Sequence, residues 1–182
     1  CADTGLGEGR DGSAALVDAD LLTLSERVGM ILCEHSLTMA TAESCTGGWA
    51  AQVVTHTAGS SAWFDRGFIT YSNQAKMDLL GVSEETLARH GAVSQETAGE
   101  MACGALHNSK ALISMSITGI AGPTGGSPDK PVGTVCFAWC RAGQPPVTER
   151  CQFSGDRESV RRQSVIHGLT GLLALAGAKT VP

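Results

Sequence analysis

Apolar positions along the chain fall into two rhythms, and their alternation sets the fold class. From Asp18 onward Leu21, Leu24, Val28, Ile31 and Leu32 recur three and four apart, which predicts a helix burying one face and ending near His35. Residues 37–42 form a short apolar run, a buried strand, which leads into Glu43-Ser44-Cys45-Thr46-Gly47-Gly48. Helical composition resumes at Trp49. Residues 63–71, rich in aromatic and β-branched side chains, read as a second strand. Ser72 or Asn73 caps a short helix that carries Lys76 and stops at Gly81. Another short helix begins at Ser83 and ends at His90-Gly91, and a longer one opens at Ser94 and reaches Asn108. Residues 111–118 are a third strand. Residues 132–139 and 147–153 are two more, folded back as a hairpin through Ala142-Gly143-Gln144-Pro145-Pro146. A last helix covers 157–175. Strands interleaved with helices, with no repeat or long linker, predict the α/β class: one three-layer α/β/α sandwich on a mixed, mainly parallel sheet of about five strands. The expected division is a flexible leader over 1–16 and a single domain over 17–182.

Composition narrows the function classes. Of 182 residues, 42% are hydrophobic and 17% charged, which suits a folded domain. No apolar run approaches the roughly eighteen residues that cross a bilayer, so no membrane association is expected. The net charge of -5 argues against a nucleic-acid partner, which calls for a basic face. Arg157, Arg161 and Arg162 do gather basic charge locally; a small anion could meet them, but a solvated helix face is the commoner meaning. Seven cysteines without a C-x-x-C pair read as free thiols of a reducing compartment, giving a cytoplasmic location and no structural zinc. The histidines show no metal pattern. His35 and His90 fall at helix ends, while His56, His107 and His167 have no acidic or histidine partner three or four residues away.

Three segments carry chemistry. In the first, Ser44 stands at a strand-to-helix turn, where free amides and the helix dipole near Thr46, Gly47 and Gly48 could hold an oxyanion. On this hexapeptide alone, an ordinary turn with Ser44 as a cap is the commoner reading. Cys45 is the rival nucleophile, although a small buried thiol fits it better. In the second, Tyr71 ends a strand and Lys76 lies early in the next helix. A serine hydroxyl needs a base, and a desolvated lysine supplies one because burial lowers its pKa; a tyrosine hydroxyl could relay the proton. In the third, Thr118-Gly119-Ile120-Ala121-Gly122-Pro123 fits a loop whose amides contact a ligand phosphate or carboxamide, or a plain tight connection.

At these residues the chain resembles a known family. Ala42 to Gly48, Gly67 to Asn73, Leu79-Leu80-Gly81-Val82, His90 to Ser94, Thr118 to Pro123, Lys130 to Val135 and Gly155-Asp156-Arg157 look like the serial motifs of CinA C-terminal domains, in that family's order. The resemblance covers nearly everything after Leu21 and is strongest to the family's stand-alone amidohydrolases, often labelled competence/damage-inducible proteins. It implies hydrolysis of nicotinamide mononucleotide to nicotinate mononucleotide and ammonia in pyridine-nucleotide salvage, with no metal or cofactor. It implies Ser44, Tyr71 and Lys76 as the catalytic set, and Thr46, Gly47, Gly48, Thr118, Gly119 and Gly122 as substrate contacts. Arg157, at the start of the last helix, is a candidate phosphate contact or else a structural pin. A homodimer is expected. Longer relatives carry an N-terminal pyrophosphatase domain for which this chain has no room, so phosphate cleavage is not expected.

Two functions follow. The first is acyl transfer: Ser44 attacks the carboxamide, Lys76 takes its proton and Tyr71 assists, with the residue types leaving direct attack by water open as well. The second is a non-catalytic nucleotide-binding module in competence or DNA-damage response. A complete Ser44, Tyr71 and Lys76 set favours the enzyme.

Overall fold

The computed structural model describes residues 12–177. Helix α1 (Gly12–Glu34) leads into strand β1 (Met39–Glu43), helix α2 (Trp49–Thr55) and strand β2 (Phe64–Ile69). Helices α3 (Asn73–Leu80), α4 (Glu84–His90) and α5 (Gln95–His107) follow, then strands β3 (Ile113–Gly119), β4 (Thr134–Arg141) and β5 (Val147–Gln152), and helix α6 (Arg157–Gly177). The expected leader lies outside the described residues up to residue 11, and its remaining part, 12–16, belongs to α1. The helix therefore begins earlier than the apolar spacing after Asp18 indicates.

The five strands line up as β2-β1-β3-β4-β5. Strands β2, β1 and β3 are parallel, and β4 runs against β3 and β5 as the expected hairpin. Only β4 is reversed, so the sheet is mixed with a parallel half, and the carboxyl ends of β1, β2 and β3 lie along one edge. In open α/β sheets this edge is where ligands bind.

Strand periodicity sorts the side chains into two cores. Met39, Ile113, Met115, Ile117, Val135, Phe137 and Trp139 face α1, α2 and α6. Ala40 and Ala42 face α3, α4 and α5, as do Cys136, Ala138 and Cys140. On this second face β3 presents Ser114, Ser116 and Thr118, whose hydroxyls donate to the carbonyls of Ala102, Ala98 and Ala92. Helix α5 thus lies close on β3. It also lies close on α3: a Cβ at Gly104 would stand 1.9 Å from the Leu80 carbonyl oxygen, so only glycine permits the approach that seats α3. The short helices are set by local signals. Ser72, Ser83 and Ser94 accept the amides of Ala75, Thr86 and Thr97 as N-caps, and Gly81 ends α3 in a left-handed conformation.

The connection from β1 to α2 is fixed by a buried carboxylate. Glu43, 1% exposed, ends β1 and turns towards the start of α2. Its Oε2 accepts from Thr46 Oγ1 (2.6 Å), Gly48 N (3.1 Å) and Ala50 N (3.0 Å), and its Oε1 accepts from Ala51 N (2.9 Å). Helix α2 has no side-chain cap from its own N-cap residue, Gly48. The carboxylate takes that place, satisfying orphan amides and opposing the positive end of the helix dipole. Replacing Glu43 with alanine leaves these buried donors without an acceptor and should destabilise the fold by about 3 kcal/mol or more. Glu43→Gln, which retains one acceptor oxygen, should lose less. Urea unfolding of the two variants checks the order.

Candidate active site

The turn after Glu43 places Ser44 at the carboxyl edge of the sheet. Its amide donates to Ile117 O (2.9 Å), prolonging the β1–β3 ladder by one step, so the residue is held by two strands. Beyond it Gly47 and Gly48 take φ of 60° and 98°, a left-handed path that lets the chain reverse into α2. On the neighbouring strand, Thr70 N donates to Glu43 O (2.8 Å), and Ser72 starts α3 immediately afterwards. Lys76, on that helix, is thereby aimed back at the end of β1.

Lys76 Nζ lies 3.0 Å from Ser44 Oγ and donates to Thr70 O at 2.7 Å. Lys76 is 1% exposed and Ser44 9%. Among the described residues Lys76 makes no ion pair with a carboxylate. Burial pushes its pKa below the ordinary lysine value, with the Cys45 thiol opposing more weakly. An uncharged amine at this distance accepts the serine proton; an ammonium donates to the serine oxygen instead. The geometry meets the separation required of a nucleophile and its base.

Tyr71 sits differently. It is 62% exposed, and its hydroxyl accepts from Arg157 Nη2 (2.9 Å). No hydrogen bond joins it to Ser44 or Lys76. Arg157 opens α6, and its other arm donates from Nη1 to Gly122 O (2.7 Å). Arg157 has no carboxylate partner among the described residues; its guanidinium ties the third segment to the second. Gly119, half-buried, ends β3 where a Cβ would meet Val135, and Gly122 is buried with a φ of 85°.

The remaining expected contacts are largely committed to the protein itself. Thr46, fully buried, donates its hydroxyl to Glu43, and Thr118 donates its own to Ala92 O (2.7 Å). Gly47 N is bonded to Ser44 O (3.0 Å), and Gly48 N to Glu43. The expectation that the α2 dipole and the amides of 46–48 hold an oxyanion is therefore corrected in part: Glu43 already occupies that helix end. The amides of Cys45 and Thr46 are the ones in this turn without a partner among the described residues.

The sequence reading gave neither of two residues its role. Glu43 was one. The other is Arg161, half-buried rather than solvated, whose Nε donates to Cys45 O and Nη2 to Thr46 O, both at 3.0 Å. Its guanidinium also lies 5.3 Å from the Trp49 ring centroid. Because the C=O and N–H of a trans peptide point opposite ways, the grip on Cys45 O turns the Thr46 N–H away from α6. The four-residue spacing of Arg157 and Arg161 put both on one helix face; which carbonyls they meet was not legible.

Cys45 is buried, and its thiol is pushed up to about 12, first by burial, so it is protonated and unreactive at neutral pH. All six cysteines among the described residues are free thiols. His167 is not isolated: its Nε2 meets Glu149 Oε2 at 3.0 Å and Cys151 Sγ at 3.5 Å. These partners come from β5, a distance along the chain that helical spacing does not sample.

The chain is 56% identical over 157 residues to the nicotinamide-nucleotide amidohydrolase PncC of Escherichia coli K12, covering 86% of this chain and 95% of that one. It is 50% identical over 155 residues to PncC of Pseudomonas putida, covering 85% and 96%. Among solved structures, the competence/damage-inducible protein CihA from Agrobacterium tumefaciens superposes with a TM-score of 0.84 at 42% identity, over 94% of this chain and 99% of that one. A competence-damaged protein (CinA) superfamily protein from Enterobacter cloacae gives 0.82 at 33%, over 97% and 99%. The family model of the CinA C-terminal domain matches residues 21–176, and the chain belongs to that family.

Proposed function

We propose that this site hydrolyses the carboxamide of nicotinamide mononucleotide, releasing ammonia and nicotinate mononucleotide. The observation that carries the reading is the buried Lys76 amine 3.0 Å from Ser44 Oγ; relatives named as nicotinamide-nucleotide amidohydrolases supply the substrate. Ser44 Oγ attacks the carboxamide carbon while Lys76 Nζ takes its proton. Charge develops on the carboxamide oxygen, and the Cys45 and Thr46 amides are the donors with capacity to meet it, each such donor contributing about 3 kcal/mol in comparable sites. The C–N bond then breaks, and the proton held by Lys76 leaves with ammonia. Water attacks the seryl ester, giving its proton to Lys76, and the acid is released as Ser44 is restored.

The pyridinium ring withdraws electrons and makes the amide a better electrophile. Tyr71, oriented by Arg157, assists at the leaving amine. Arg157 and the Gly119–Gly122 loop form the edge that meets the substrate phosphate, since a guanidinium binds phosphate through paired hydrogen bonds. We place the enzyme in the cytoplasm as a homodimer without a nucleic-acid partner. The six free thiols among the described residues support the location, and the net charge of -5 supports the lack of a nucleic-acid partner. No described helix is long and apolar enough to cross a membrane.

Ammonia release from purified protein with nicotinamide mononucleotide tests the reading. Ser44→Ala should lower kcat by on the order of 10³-fold or more, whereas Cys45→Ala should change it by less than about tenfold. Near-normal turnover in Ser44→Ala removes serine from the mechanism.

Lys76 yields a second expectation. A lysine pKa depressed by folding means that the folded state binds the proton less well, so the charge opposes folding at neutral pH, and this opposition fades as pH rises towards 10.5. Lys76→Met should thus raise stability at pH 7 while abolishing ammonia release. Its stability advantage should shrink in alkaline buffer. A variant that is both inactive and less stable at every pH contradicts this account of Lys76.

A further inference from the structure

Away from the serine site, three side chains of different chemistry converge on one point. Glu149 and Cys151 are two apart on β5 and share its α6-facing side; His167 lies in the middle of α6. Cys151 Sγ is 3.5 Å from His167 Nε2 and 3.6 Å from Glu149 Oε1, and His167 Nε2 is 3.0 Å from Glu149 Oε2. His167 is ten residues along α6 from Arg157, about 15 Å at the helical rise, so this cluster is separate from the proposed catalytic residues.

A thiol, an imidazole and a carboxylate suggest a nucleophile relay, but the connectivity excludes one. A relay uses both ring nitrogens, one towards the thiol and the other towards the carboxylate. Here the same nitrogen, Nε2, faces both. Three ligand atoms directed at a shared centre are instead the arrangement of a metal site. We propose that Glu149, Cys151 and His167 bind a divalent transition metal of the zinc type.

The separations fit. With zinc–sulfur, zinc–nitrogen and zinc–oxygen bonds of about 2.3, 2.05 and 2.1 Å at tetrahedral angles, donor atoms stand about 3.4–3.6 Å apart. The sulfur–imidazole distance already matches. The carboxylate meets the sulfur through Oε1 and the imidazole through Oε2, so a turn of the Glu149 carboxylate, whose side chain is half exposed, sets one oxygen against both. The histidine is held more firmly. Its ring centroid packs 4.7 Å from that of Phe137, 5.9 Å from Trp139 and 6.0 Å from Phe153. That packing fixes the direction of Nε2, the preorganisation a ligand requires. The donor set is also selective: thiolate with imidazole suits zinc, cobalt or nickel and disfavours magnesium and calcium, which take oxygen ligands. Coordination displaces the thiol proton to solvent. A cavity of about 370 Å³ bordered by Glu149, His167 and Val147 leaves room for water as the fourth ligand. Bound metal ties β5, the edge strand, to α6.

Cobalt supplies a direct probe. Metal-free protein titrated with Co²⁺ should bind one equivalent and show a thiolate-to-cobalt charge-transfer band together with tetrahedral visible bands. Zinc should displace the cobalt and raise the melting temperature. Cys151→Ser should abolish the charge-transfer band, and Glu149→Gln should weaken zinc binding at least about tenfold; ammonia release should be unchanged in both. Absence of the band in folded protein overturns the proposal, as does a band that survives Cys151→Ser, since another thiol would then be the ligand. If Cys151→Ser does not fold, the exposed Glu149→Gln decides alone, and unchanged zinc affinity there counts against the site.

Discussion

The Glu43 carboxylate is the constraint around which the catalytic edge is arranged. A buried charge is tolerated when its lone pairs are satisfied, and here one hydroxyl and three backbone amides satisfy them. Those amides belong to the first turn of α2, so the strand end, the turn and the helix start are locked as one unit. Arg161 holds the same turn from α6 through the carbonyls of Cys45 and Thr46. Between an acceptor on one side and a donor on the other, the turn has little freedom. Ser44 inherits that rigidity, and its amide is fixed independently by β3.

Lys76 meets burial in the opposite way. Glu43 is surrounded by donors that favour its charged form, while Lys76 has a serine hydroxyl and one carbonyl and, among the described residues, no carboxylate partner. The first arrangement stabilises an ion; the second favours a neutral amine. The two are linked through Thr70, whose amide donates to the Glu43 carbonyl and whose own carbonyl accepts from Lys76. A single peptide step therefore sets the distance between a structural anion and a prospective base. Gly104 acts from further away, because the close seat it gives α3 against α5 keeps Lys76 pressed towards the sheet.

Much of this fold was legible because its signals are local. Ser72, Ser83 and Ser94 sit three residues before the amides they accept, Gly81 is the residue that a left-handed helix end needs, and the β4–β5 turn is marked by paired prolines. The pairing of Ser44 with Lys76 followed from residue type and family motif. What was not legible depends on tertiary packing. Glu43 reaches amides five to eight residues ahead, beyond any capping-box spacing. The hydroxyls of Thr46 and Thr118 resemble substrate donors in sequence, yet the fold uses both internally. His167 acquires Glu149 and Cys151 only when α6 packs over β5, and the opening of α1 at Gly12 precedes its apolar rhythm.

As the base, Lys76 must give up its charge more readily than an ordinary lysine. The direct measurement is titration of the Lys76 side-chain nitrogen by NMR in selectively labelled protein, with Ser44 intact. The expected result is a pKa below the ordinary value of 10.5 and a rise of kcat/KM with pH along the same curve. A Lys76 that titrates at or above 10.5, with activity following some other group, contradicts it.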